Sequence, residues 1–171
     1  VFSSEFIPVV VQDQEEIISY LNYELPEIKI FDFGDDSLDT ESLMEVIHAD
    51  PWLLFGGIIA IAQNHQQKIQ LEKRRDPNIL LILTRSNFQD NAGRILRIIT
   101  QNSQFLFNRG MQQQMKTNET GSFISDNDPT DILFYCNLIT GYLYNTNRIN
   151  DDGRSAIQGA LMELLLNAVE H

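Results

Sequence analysis

The sequence predicts an α/β protein: a doubly wound, five-stranded parallel sheet with a C-terminal helical extension. Three observations lead there. Short apolar runs alternate with longer amphipathic ones through the first hundred or so residues, which is how strands and crossover helices read from sequence. One of those runs is continuously apolar, as a strand covered on both faces must be. The chain of 171 residues, 43% hydrophobic and 21% charged, has the composition of a globular domain with room for an appendage.

The first strand is expected at Phe6–Val11, and Gln14–Tyr23 follows as a helix with Ile17, Ile18 and Leu21 on one face and Asp13 placed to cap it. Ile28–Phe33 alternates and is β-branched or aromatic, so it reads as the second strand. Asp39 or Thr40 opens a helix through Ile47, with Glu41 where the helix dipole favours an acid, and Pro51 interrupts it. Leu53–Ala62 holds the continuous apolar run and is the third strand. Asn64–Arg75 is polar and helical in propensity, with Ile69 and Leu71 as its few anchors. Turn-forming Asp76, Pro77 and Asn78 lead into a fourth strand, Ile79–Leu83. Phe88–Thr100 carries Ala92, Ile95, Leu96 and Ile99 at helical spacing, and Gln104–Phe107 is a short fifth strand.

Residues 1–110 are thus read as the α/β domain, 111–130 as a polar linker, and 131–171 as a helical hairpin. Asp128, Pro129 and Asp131 supply an N-cap, a first-turn proline and a dipole-matched acid for a helix to about Tyr144. Asn150–Gly153 breaks it. The final helix places Ile157, Ala160, Leu161, Leu164, Leu165 and Ala168 in one apolar stripe, with Glu163 and Asn167 on the opposite face. Val1 in place of Met, and a patterned helix that reaches His171 without a terminator, predict a piece of a longer protein. Stripes left open on two such helices predict a homodimer built through them.

Twelve basic against twenty-four acidic residues, a net charge of −12, exclude a generic nucleic-acid or anionic-membrane binder. Cys136 is the single cysteine, so an intrachain disulfide and a cysteine zinc site are excluded and a reducing, cytoplasmic setting is expected. The longest apolar stretch, Trp52–Ala62, is too short to span a bilayer. His48 and His65 lie among polar residues without partners at ligand spacing, and Asp32, Asp35, Asp36 and Asp39 read as a solvated loop.

In doubly wound sheets ligands sit at the carboxyl ends of the strands, which singles out Gln12, Asp13, Gly57, Ile58, Thr84, Arg85, Asn108 and Arg109. Over residues 6–110 this set resembles the receiver domain of two-component response regulators. The resemblance implies acids after the first strand, where the chain reads Val11-Gln12-Asp13, and a switch hydroxyl after the fourth, where Thr84 stands. It implies a phosphoacceptor aspartate after the third strand, where Gly57 stands, and a lysine after the fifth, where the chain reads Phe107-Asn108-Arg109. A glycine has no carboxylate to become an acyl phosphate, so the expectation is a degenerate receiver that docks or senses a signalling partner. The alternatives are a small-ligand or nucleotide-binding module using the crevice near Asp13 and Thr84, and a phosphoreceiver with a displaced acceptor such as Asp50.

At the other end, Met162-Glu163-Leu164-Leu165-Leu166-Asn167-Ala168-Val169-Glu170-His171 resembles the N-box of the GHKL ATPases, in the form found in anti-sigma-factor serine kinases. The resemblance implies that Asn167 coordinates the magnesium of Mg-ATP, that Glu163 orients or deprotonates the attacking group, and that His171 lies in the nucleotide site. It covers some forty to fifty residues, and the glycine boxes that close over the nucleotide would lie beyond His171. The expected whole is a regulatory protein whose degenerate receiver drives a histidine-kinase-like ATPase output, not catalytically competent as the chain stands.

Overall fold

A computed structural model describes residues 7–26, 28–50, 52–53, 57–101 and 128–170. In chain order these hold α1 (Gln14–Glu24), β1 (Ile28–Asp32), α2 (Thr40–Ala49), β2 (Gly57–Ala62), α3 (His65–Lys73), β3 (Ile79–Thr84), α4 (Arg85–Gln101), α5 (Pro129–Asn145) and α6 (Asp151–Glu170). The helix starts follow from the sequence. Asp13, Asp39, Asn64 and Asp128 each turn a side-chain oxygen onto a backbone N–H of the first turn, satisfying donors that the helix itself cannot.

The sheet among the described residues has three parallel strands in the order β1-β2-β3, not five in a doubly wound order. Ile28 pairs with Gly57 and Asp32 with Ile61, while Ile61 pairs in turn with Leu83. Strands taken in consecutive order, joined by crossovers of one hand, put every crossover helix on the same face. That is what the core shows. Ile17 and Leu21 of α1, Leu43 and Ile47 of α2 and Leu71 of α3 pack with Phe31, Ile58, Ala60 and Ala62. Ile59, Ile61, Leu81 and Leu83 face the other way, against Ile95, Leu96 and Ile99 of α4 and Phe134 and Leu138 of α5. All six residues of β2 are buried, as the continuous apolar run predicts.

The expected first strand is not one. Residues 7–12 form no ladder, and Ile7 and Val10 are 93% and 83% exposed. The place beside β2 that a first strand would take in a receiver-type order is filled by β1 itself. A β-branched run signals only fitness for a pleated, half-buried surface, not which surface. The expected fifth strand, Gln104–Phe107, lies outside the described residues.

The third expected strand begins late. Leu53 sits in a turn closed by its N–H donating to the Asp50 carbonyl at 3.0 Å, and the ladder starts at Gly57. There β3 carries an irregularity: Ile58 pairs with Ile79 but Ile59 with Leu81, so Leu80 is an extra residue. Its side chain occupies the space where a Cβ on Gly57 would project, 2.1 Å from Leu80 Cδ1 and 2.3 Å from Cγ. Leu80 is 2% exposed and has no room to yield. Gly57→Ala is therefore expected to lower stability by about 1–3 kcal/mol through overpacking, read from urea midpoints. A paired Leu80→Ala change should recover part of that loss, and its failure to do so would remove the bulge as the cause.

Candidate functional site

The carboxyl edge of the sheet is built from the ends of β1, β2 and β3. The Asp32 carboxylate is held on both oxygens: Gly34 N–H donates to Oδ1 and Arg85 Nε to Oδ2, each at 2.9 Å. This pair holds the Arg85 guanidinium protonated to a higher pH than usual. Gln67 Nε2 donates to the Phe33 carbonyl at 2.8 Å, while its Oε1 accepts from Gln63 N–H at 2.7 Å, which ties α3 to the loop after β1. Asp35 accepts from the hydroxyl and N–H of Ser37, and these bonds pull its carboxyl below the usual range.

Thr84 ends β3 where α4 begins without a loop, and its Oγ1 accepts from Asn87 N–H at 3.4 Å. It is the cap of α4, its hydroxyl 3.2 Å from that of Ser86. Asp13 caps α1, accepting from Glu16 N–H at 3.0 Å, and Gln12 beside it is exposed. Gly57 stands at the amino end of β2, paired with Ile28, whereas Thr84 pairs with Ala62 at the carboxyl end. The two are separated by the length of β2, about 16 Å at 3.3 Å per residue. The expected pocket of Gln12, Asp13, Gly57 and Thr84 is therefore not assembled, because Gly57, which the receiver resemblance set after the third strand, is the first residue of β2. The residues that follow β2 are Gln63 and Asn64, and Arg109 lies outside the described residues. No group of three or more acids, histidines or cysteines is placed to hold a metal among the described residues.

Sequence reasoning passed over a second polar cluster. Arg94 and Arg97 lie three residues apart on α4, and Asp128 and Asp131 three apart at the start of α5. Arg97 Nη2 donates to Asp131 Oδ2 at 2.6 Å, Arg94 Nη1 lies 3.5 Å from Asp131 Oδ1, and Arg94 also bonds Asp128. With Gly93 these side chains line an open depression of about 420 Å³. Arg94 and the Thr130 N–H hold the Asp128 carboxyl down at about 2. The shared spacing of three, with opposite signs, was the legible signal.

The C-terminal helices are joined to the sheet side by side. Asn145 Nδ2 donates to the Ile79 carbonyl at 3.2 Å, and Arg75 Nη1 to Asn147 Oδ1 at 2.7 Å. The Arg75 and Arg154 guanidinia lie over the Tyr144 ring, 4.1 and 5.1 Å from its centroid, and Arg154 also reaches Glu72 at 3.3 Å. Beyond that first turn α6 rests on α5, with Ile157, Leu161, Met162 and Leu165 half-buried and no residue fully buried. The open stripes expected on both helices are open only in part. Ile132, Phe134 and Leu138 of α5 are covered, whereas Ala160, Leu164 and Ala168 of α6 are exposed, Leu164 to 65%.

Glu163 and Asn167 share that outward face, four residues apart. Neither makes a hydrogen bond or ion pair among the described residues, so a carboxylate and an amide oxygen stand open on one rigid helical face. His171 lies outside the described residues. No helix among the described residues is long and apolar enough to cross a membrane. No protein family, curated protein or solved structure matches the chain.

Proposed function

We propose that the protein is a cytoplasmic signal-transduction regulator, in which the α/β domain docks or senses a partner protein and α6 opens a GHKL-type ATPase output. The observation that carries this reading is the pair Glu163 and Asn167, exposed one turn apart on the N-box-like segment of a helix held in place by its other face. Bound Mg-ATP would supply the phosphoryl donor. The Asn167 amide oxygen is a hard donor suited to one position in a magnesium shell that otherwise keeps water and phosphate oxygens. The Glu163 carboxylate, a turn earlier, is placed to orient an attacking hydroxyl and take its proton.

Coupling between the two parts has a physical route. The Asn145–Ile79, Arg75–Asn147 and Arg154–Glu72 contacts tie the end of α5, the turn after it and the first turn of α6 to the end of α3 and the start of β3. A partner that shifts α3 against the sheet would have to move these groups together. Phosphoryl transfer to the sheet edge plays no part in this reading, since the strand-end acid Asp32 is already clasped by Gly34 and Arg85.

The test is a Mg-ATP titration followed by amide chemical shifts. Magnesium-dependent shifts should centre on Glu163 and Asn167 with a dissociation constant of about 1 mM, weak because two side chains form only part of a site. Asn167→Ala should remove them and Glu163→Gln reduce them, each changing stability by less than about 0.5 kcal/mol as exposed substitutions. An unchanged α6 at about 10 mM Mg-ATP, tenfold above that constant, would exclude the reading.

A further inference from the structure

We propose that Ile7–Val10 is a donor strand, and that a second copy of this chain accepts it along the outer edge of β1 in a reciprocal exchange. Two halves of an unmade ladder are present in one molecule. The first is the donor. Residues 7–12 run without a backbone hydrogen bond among the described residues. They also expose Ile7, Val9 and Val10 to 93%, 52% and 83%. Three large apolar side chains within four residues on an unpaired, β-prone segment are an uncovered strand rather than an ordinary surface loop.

The second half is the acceptor. β1 pairs only with β2 among the described residues and so forms an edge. Phe33 N–H donates inward to the Ile61 carbonyl at 2.9 Å. Because backbone groups alternate along a strand, Ile28 and Ile30 then turn theirs outward, while the Asp32 carbonyl closes the following turn by accepting from Asp35 N–H at 3.2 Å. Ile30 sits in the middle of this edge and is 37% exposed. The one lysine of β1, Lys29, is buried at 5% exposure, so no exposed lysine or proline stands on this strand to block pairing, the usual protection of such edges. The donor fits it in one respect that can be read directly. With Ile7 and Val9 turning their N–H and C=O groups to the acceptor, Pro8 has its missing N–H on the solvent side, where an edge strand tolerates proline.

The occupant is a second copy rather than the same chain because the donor leaves from the helix layer. Val11 packs against the core, and Gln14 Nε2 donates to Ser42 Oγ of α2 at 3.3 Å, which pins the start of α1 beside the first turn of α2. Folding back onto its own β1 would break that arrangement. Reciprocal donation between two copies pairs both β1 edges with closed twofold symmetry, and the new edge on that side is the donor strand with Pro8 in it.

The experiment measures oligomeric state by light scattering from about 5 to about 500 μM, with amide exchange alongside. The expected result is a concentration-dependent dimer in which the Val9 and Ile30 amides become protected. Val10→Asp on the donor and Ile30→Lys on the acceptor should each weaken it by at least about tenfold. Mixing the two variants should restore a heterodimer, because the intact segment of the Ile30→Lys copy can enter the intact edge of the Val10→Asp copy. Both variants change exposed side chains, and their melting curves report whether they remain folded. A protein that stays monomeric with fast exchange at Val9–Val11 overturns the proposal. So does protection of those amides in the monomer, or a dimer indifferent to both substitutions, which would use another face such as the outward side of α6.

Discussion

Asp131→Ala is expected to cost about 3 kcal/mol of stability, seen as a fall in the urea midpoint at unchanged slope. Asp131 is 1% exposed and answers two guanidinia, Arg97 at 2.6 Å and Arg94 at 3.5 Å. Removing the acid takes a buried counter-charge from two guanidinia that α4 points at the α4–α5 seam, of which Arg94 keeps Asp128. The arginine side chains are 41% and 39% exposed, so water can solvate part of what is lost. That places the effect at the lower end of what an orphaned buried ion pair produces. Asp131→Asn should fall between, since the amide keeps the shape and one acceptor but not the charge. The Arg97→Met, Asp131→Leu double variant should be less damaged than Asp131→Ala, because replacing both members leaves no unpaired charge. Equal losses in both would show that packing, not charge, is what Asp131 contributes.

The second large effect has the opposite sign. Lys29 lies on β1 with only 5% exposure, and burial pushes its ammonium down to about 8 from the usual 10.5. A lysine with a depressed folded value destabilises the fold wherever the unfolded chain holds the proton more tightly. The penalty is complete below pH 8, shrinks between about 8 and 10.5, and is gone above that range. At about 1.4 kcal/mol per pH unit, Lys29→Met should raise stability at pH 7 by up to about 3 kcal/mol. The advantage over the parent should vanish near pH 10.5. The comparison must be made between the two proteins at each pH. Buried Cys136 and half-buried Tyr135 have raised values, so their contributions decline as pH rises past their ordinary ranges and oppose the Lys29 trend. A constant difference from pH 6 to 11 would mean that the gain comes from methionine packing and not from a relieved charge.

Local features of the chain were legible where local chemistry settles them. The caps at Asp13, Asp39 and Asp128 follow from short acceptor side chains ahead of apolar-periodic segments, and each bonds its own helix. The buried strand β2 follows from an apolar run that no exposed strand would carry. Thr84 shows where such reading divides. A hydroxyl after a strand fits both a ligand contact and a helix cap, and only the absence of any loop between β3 and α4 makes it a cap. Gly57 divides in the same way. Its lack of a side chain was plain, but the reason, a bulged Leu80 filling the space, lies twenty-three positions away in the sequence. At Glu163 and Asn167, helical spacing alone places both on one face, and that survives folding because a helix of twenty residues keeps its register whatever it packs against.

What the amino-acid order determined alone was the six helices, three of the five expected strands, the capped helix starts and the outward pair on the final helix, all properties of windows of about twenty residues or fewer. What only the tertiary structure decided was which strands meet. Periodicity fixes the two faces of a strand but not its neighbour. The place beside β2 went to Ile28–Asp32 rather than Phe6–Val11 through the combined burial of α1, α2 and α3 on one face. The pairing of Arg94 and Arg97 with Asp128 and Asp131 was decided there too, because charges thirty-four residues apart attract only once the sheet has brought their helices together.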